Sequence, residues 1–350
     1  MSLNADRTNQ SSTLMSQKRT YSIICAAIVL TTAVAFYWRV TWHSMPGQTF
    51  NGPLPPLSEK EVTIRDALAK HVHVLAEDIG ERNSTQFEHL NKAAEYIIQE
   101  FKIIGYQPRF QAYELNGKTY KNIEVEIAGK DPNAAILIVG AHYDSALNSP
   151  GADDNASGVA SLLELSRALW GKQFDRKIKI VAFANGEPPY ANTPDSGSHR
   201  YAQLAKGYGA KIKGMISLDE LGYYSDSPES EKLPVNIFSY YPAVGDFVMA
   251  VGNAESASFC RGAVESFRNS TKFPSEGIIC RDSVNPQGME GVDHVEFWKA
   301  GYPAVMFTDT GADRDPVIHS AEDVSSRVDA DRLCRVTGGL VAVLMSLASN

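Results

Sequence analysis

Apolar positions recur along this chain with two spacings, and the alternation between them predicts most of its elements. At 61–81 and 86–104 they return every three to four residues, as on one face of a helix. Asn116-Gly117 then divides two stretches as a tight hairpin turn would. Beyond it come short apolar runs at 134–142 (AAILIVGAH), 177–184 (KIKIVAFA), 213–219 (KGMISLD), 235–241 (VNIFSYY) and 303–310 (PAVMFTDT), which read as buried strands. Residues 158–170, 199–209 and 330–348 between and after them carry the helical spacing. This alternation predicts an α/β fold, a three-layer sandwich around a mostly parallel central sheet. In such a sheet ligands bind beyond the carboxyl ends of the strands.

One segment stands apart. Tyr21 to Trp38 holds no charged residue, just enough to span a bilayer as a helix. Arg7, Lys18 and Arg19 precede it and Arg39 follows. That bias expects residues 1–19 as a cytoplasmic tail, 20–42 as a single-pass anchor and the main domain outside the cytoplasm, periplasmic in a bacterium. The competing reading is secretion after cleavage near Ala35, since Ala33-Val34-Ala35 has the small-x-small form of a signal-peptide site. The aromatics of 36–42 suit a membrane interface. Residues 43–60, rich in Pro and Gly, read as a linker, and 61–350 as one domain.

Composition adds limits rather than identity. A net charge of −8 without a lysine or arginine cluster argues against a nucleic-acid surface. Of four cysteines, Cys25 lies in the apolar segment, and one disulfide, Cys260 with Cys280, is compatible with an oxidising compartment.

Candidate chemistry gathers where the apolar runs end: His142 and Asp144 after the first, Glu187 after the second, Asp219 after the third. Each alone reads as a polar cap, but their coincidence on successive strands points to a shared cation, because several buried acids need a compensating charge. Between the first strand and its helix, Asp153 and Asp154 stand together in PGADDNASG. Helix capping explains one such acid, and a carboxylate bridging two cations explains the pair. His319, in DPVIHSAEDV, offers a further nitrogen.

The motif order, His-Tyr-Asp, Gly-Ala-Asp-Asp-Asn-Ala-Ser-Gly, a strand ending in the place of an acidic pair, Leu-Asp, VDHVEFWKAGYPAVMFTDT and a late His-Ser-x-x-Asp, resembles the dizinc aminopeptidase family, with glutaminyl cyclase and glutamate carboxypeptidase as relatives. The resemblance covers about 85–330. It implies a zinc metalloexopeptidase acting on peptides or amino-acid amides, with two Zn²⁺ ions. His142, Asp153, Glu187, Asp219 and His319 would be the metal ligands, Asp153 bridging. Asp144 would orient His142, Asp154 would hold the loop, and Asp293 and His294 would lie near the substrate cleft. The family's general base is the first of two adjacent glutamates, a position held here by Gly186. Such a base passes a proton from the attacking water to the leaving amine, a contribution of about 10²–10⁴-fold. Three readings follow: a peptidase with reduced activity or a replacement base such as Asp195 or Glu220, a zinc-binding pseudoenzyme that holds peptides or a protein partner, or a cyclase or amide hydrolase on the same scaffold.

Overall fold

A computed structural model describes residues 3–38, 43–233, 240–280 and 293–349. The chain divides into two units, Met1–Ser44 and Met45–Asn350. The first contains α1 (Leu3–Trp38), in which Lys18–Tyr37 is long and apolar enough to cross a membrane and none of its residues is buried.

The second unit opens with a segment laid along the domain. Arg268 donates to the carbonyls of Met45, Pro46 and Gly47, and Thr49 Oγ1 accepts the Ser275 amide at 2.8 Å. Ser58 then starts α2 (Glu59–His73) with a capping box: its hydroxyl accepts the Glu61 amide, while Glu61 accepts the Ser58 amide. A wider turn, Val74–Ile79, leads to α3 (Phe87–Ile104), which ends where Gly105 takes φ 118°, a conformation glycine adopts without Cβ strain.

The predicted hairpin is formed by β1 (Arg109–Leu115) and β2 (Lys118–Ile127), with positive φ at both Asn116 and Gly117, as its two-residue turn demands. Then follow β3 (Ile136–His142), α4 (Gly158–Leu169), β4 (Ile178–Phe183), α5 (Gly197–Gly207) and β5 (Ile212–Leu218). After the excursion 219–247 come β6 (Val248–Asn253), α6 (Ala257–Ser270), β7 (Ser275–Cys280), α7 (Asp293–Ala300), β8 (Ala304–Thr308) and α8 (Ala330–Ala348). The run expected as a strand at 235–241 falls largely outside the described residues.

Among the described residues eight strands join one sheet in the order β1-β2-β4-β3-β5-β8-β6-β7. The sheet is mixed, with four of its seven pairings parallel and three antiparallel. β4, β3, β5 and β8 run parallel at its centre, while β2 pairs antiparallel with β4, and β6 antiparallel with β8. A strand buried on both faces has the same apolar run in either direction, so its pattern carries no direction. The centre is dry: Leu137, Val139, Ile178, Ile180, Val181 and Ile216 are fully buried, each worth roughly 1.5–3 kcal/mol of transfer. This core fixes the neighbouring carboxyl ends of β4, β3 and β5 in one row.

The expected Cys260–Cys280 disulfide is not formed. Both thiols are free and buried, and Cys260 packs beneath Gly252 in the interior.

Candidate metal centre

Strand ends bring the first donors together. His142 closes β3, and Asp219 directly follows the last residue of β5. His142 Nε2 lies 3.2 Å from Asp219 Oδ1 and 3.2 Å from Asp154 Oδ1. His319, at φ 60°, places its Nε2 2.7 Å from Asp154 Oδ2 and 3.8 Å from Glu187 Oε1. Two donor triads result, His142–Asp154–Asp219 and Asp154–Glu187–His319, each with its donor atoms within 4.8 Å of one another. Asp154 belongs to both.

Asp153, expected as the bridging acid, belongs to neither triad. At Asp154 the backbone leaves helical geometry (φ −106°, ψ 92°), and its carboxylate turns to the two histidines. Asp153 turns elsewhere and accepts the Gly222 amide at 2.7 Å. Neither loop acid is a cap in the ordinary sense. The loop is held instead by Asp323, whose two oxygens accept the amides of Asp153 and Asp154 at 2.8 and 3.2 Å. Asp323 stands in the His-Ser-x-x-Asp motif, so its sequence signal was present without a role attached.

Asp144 likewise does more than face the imidazole. Its two oxygens accept the amides of Gly186 and Glu187, at 2.8 and 3.0 Å. His142 Nδ1 is 3.4 Å from Asp144 Oδ1 but is not aligned for a hydrogen bond. Gly186 packs directly on His142: a Cβ there would lie 2.4 Å from His142 Cγ and 2.8 Å from Nδ1. The absent side chain therefore leaves no hole behind.

Asp293 and His294, at the start of α7, are buried, and among the described residues no well-aligned hydrogen-bond partner meets their side-chain N or O atoms. Burial raises Asp293 to about 7, with His142 opposing and Asp219 adding, and lowers His294 to about 3, so the imidazole is neutral. His294 stands edge-on to Trp298 and joins neither donor triad. Asp195 is engaged by Arg200 at 2.6 Å. Tyr224 is buried against Phe273, and Tyr223 is covered by Arg327, so both pack.

The electrostatics are those of an acid-rich pocket. Burial raises Asp153, Asp219, Glu187 and Glu220, with Asp309 adding at Asp153 and Asp154 adding at Glu187 and Glu220. Asp309, unmarked by the sequence reading, is raised to about 7 by burial. Burial opposes charge on both Asp154 and His142, yet His142 and His319 hold Asp154 well below its ordinary value, and Asp219, Asp144 and Asp154 hold His142 well above its own. Among the described residues no donor group meets Asp153 Oδ2 or Asp219 Oδ2, both of which are buried, and Asp153 faces the carboxyl of Asp309. Orphaned acids, nitrogen donors and a shared carboxylate fit divalent cations that prefer mixed N and O ligands.

Residues 122–344 match the sequence profile of peptidase family M28. The chain is 32% identical over 288 residues to the uncharacterized protein YfbL of Escherichia coli K12, covering 80% of this chain and 87% of that one. Its fold is shared with LapB from Legionella pneumophila (TM-score 0.64, 18% identity, 88% of this chain and 79% of that one). It is shared also with BSAP, a zinc aminopeptidase from Bacillus subtilis (TM-score 0.62, 15% identity, 82% and 95%). With the profile spanning more than half of the sequence, the chain belongs to peptidase family M28 and is a hydrolase of the metallopeptidase class.

Proposed function

We propose that this protein is a membrane-anchored zinc exopeptidase of the aminopeptidase type, acting on peptides or amino-acid amides, whose turnover is limited by the loss of its general base. The observation that carries the reading is Asp154, one carboxylate belonging to two donor triads. His142 and Asp219 would hold one zinc, His319 and Glu187 the other, with Asp154 between them. Ions so held polarise a scissile carbonyl and lower the pKa of water. The apolar helix Lys18–Tyr37 supplies the anchor.

The residues themselves account for binding and orientation better than for proton transfer. Asp144 keeps both oxygens on the amides of Gly186 and Glu187 and so fixes where Glu187 stands. Asp154 and Glu187 are committed as donors, and Asp195 to Arg200. Glu220 follows Asp219 directly and makes no side-chain hydrogen bond or ion pair among the described residues, which makes it the replacement acceptor. Its carboxylate lies against Gly311, where a Cβ would come within 1.9 Å of Oε2. The closed space at Gly186 favours a second reading, a zinc-bound site that retains peptides with little turnover.

The test is zinc stoichiometry of the full-length protein in detergent, followed by hydrolysis of aminoacyl arylamides by the wild type and Glu220→Gln. Two zinc ions and a slow rate abolished by Glu220→Gln support the peptidase reading. Two zinc ions without turnover support the retaining site, and absence of zinc binding refutes both.

A further inference from the structure

Beneath the donor triads lies a cation that the sequence did not mark. Arg82, in the turn between Ile79 and α3, is fully buried, and among the described residues no carboxylate meets its guanidinium. Its partners are all backbone carbonyls. Nε donates to Tyr143 O at 2.8 Å, Nη2 to Gly151 O at 2.8 Å, and Nη1 to Pro150 O, with longer bonds to Leu75 O and Gly80 O at 3.3 and 3.5 Å.

These carbonyls belong to the segments that present the shared donors. Tyr143 follows His142, and Pro150-Gly151 precede the loop that carries Asp154. The neighbourhood is latched in the same sense: the Arg82 amide donates to Ser145 Oγ, the Ser145 amide to Arg82 O, and Asn83 Nδ2 to Ser145 O and Ala146 O. Gly151, at φ 63°, admits no Cβ, since one would lie 2.5 Å from Ser145 Cβ and 3.2 Å from Arg82 Nη2.

A buried guanidinium without an anion is costly unless its charge is met at longer range. Burial lowers Arg82 to about 10, and Asp323, Asp144, Asp154 and Glu187 pull it upward. The planar fork suits the task, because one rigid group reaches two separated chain segments at once. An ammonium has a single nitrogen and cannot span them.

We propose that Arg82 is a positioning residue of the metal centre: by tying the carbonyls of Tyr143, Pro150 and Gly151 to one planar group, it sets the spacing between His142 and Asp154. This inference rests on the reading of those two side chains as ligands of one ion.

The experiment measures zinc affinity of the full-length protein by competition with a chromogenic chelator, and thermal unfolding with zinc removed, for wild type, Arg82→Lys and Phe101→Leu. Phe101 is buried in α3 and serves as a variant that weakens the fold alone. Arg82→Lys is expected to weaken zinc binding about tenfold or more, in the range seen for groups that orient ligands, while Phe101→Leu leaves affinity within about twofold at a similar loss of Tm. Affinity of Arg82→Lys within about twofold of wild type overturns the inference. A wild type that binds no zinc overturns the metal-centre reading and the inference with it. Should Arg82→Lys not fold, Gly151→Ala displaces the same carbonyl from the other side; it is expected to lose affinity to the same extent, and unchanged affinity there overturns the proposal.

Discussion

Reinstating the family's glutamate at position 186 is the obvious repair, and the structure predicts that it fails. The first carbon of any side chain there would sit 2.4 Å from His142 Cγ, 2.5 Å from His142 Cβ and 2.8 Å from Nδ1, distances well inside carbon contact. The backbone cannot easily withdraw, because the Gly186 and Glu187 amides are both pinned to Asp144, at 2.8 and 3.0 Å. The imidazole must therefore move, and with it the contacts of Nε2 to Asp154 and Asp219. Overpacking of this kind costs about 1–3 kcal/mol, roughly 2–4 °C of Tm for each kcal/mol in a domain approaching this size. If His142 is a metal ligand, disturbing its orientation should cost about 10–100-fold in metal affinity, the range seen when groups that orient ligands are lost.

Gly186→Ala separates the steric effect from the chemical one, since it adds the Cβ without the carboxylate. Both Gly186→Ala and Gly186→Glu are expected to lower Tm and zinc affinity by similar amounts, and neither to raise the hydrolysis of aminoacyl arylamides. The reasoning is refuted if Gly186→Glu raises turnover by about 10²-fold or more, the gain a working base supplies, with zinc affinity unchanged. That result would mean that the place of the base is open and that only its side chain is missing.

Other expectations follow from the same geometry. Asp154→Asn should lower bound zinc, measured by elemental analysis, far more than Asp153→Asn, since only Asp154 joins both triads. The zinc-free protein should lose stability as pH rises from about 5 to 8: Asp293 and Asp309 are raised to about 7 and Asp323 to about 6, so the folded state binds protons that the unfolded chain, with carboxyl pKa near 4, has released. Thermal unfolding should show this slope diminished once zinc is added; an apo Tm that rises over that window contradicts the charge account. Glu231, in the excursion after β5, and Arg314, in the loop after β8, form an ion pair at 2.8 Å with both side chains fully buried. Arg314→Met strands Glu231 and should cost about 3–5 kcal/mol in chemical denaturation, whereas a loss below about 1 kcal/mol would show that the pair is dispensable.

The sequence spoke most clearly where one physical cause dominated. Unbroken apolar runs marked β3, β4 and β5 to within about two residues, and the polar residues at their ends proved to be neighbours because those strands are adjacent in the sheet. β6 and β7 carry a glycine within six residues each and α6 carries charge, so their runs were too short to stand out. The exchange of Asp153 and Asp154 had no sequence signal at all. Two adjacent aspartates are chemically identical, and the choice between them is made by the backbone turn at Asp154 and by Asp323 from a distant loop. Arg82 was equally silent, since its carbonyl partners are backbone and leave no trace in side-chain pattern.

Gly186 and the surrounding acids bear differently on what the fold is arranged to do. A glycine at position 186 adds no charge to the pocket, while Asp153, Asp154, Glu187, Asp219 and Asp309 are buried together, where charge is costly without a counterion. Burial drives most of these acids toward protonation, and His142, His319 and the buried Arg82 and Arg314 offset it only in part. A site that had become merely structural would be more stable with these carboxylates replaced by apolar groups. Their joint presence, with oxygens on Asp153 and Asp219 that no donor group meets among the described residues, is understandable when divalent cations complete the charge. Metal binding is therefore the property to which this arrangement of buried acids is most strongly tied, while the proposed limit on hydrolysis is a separate matter, tested at Gly186 and Glu220.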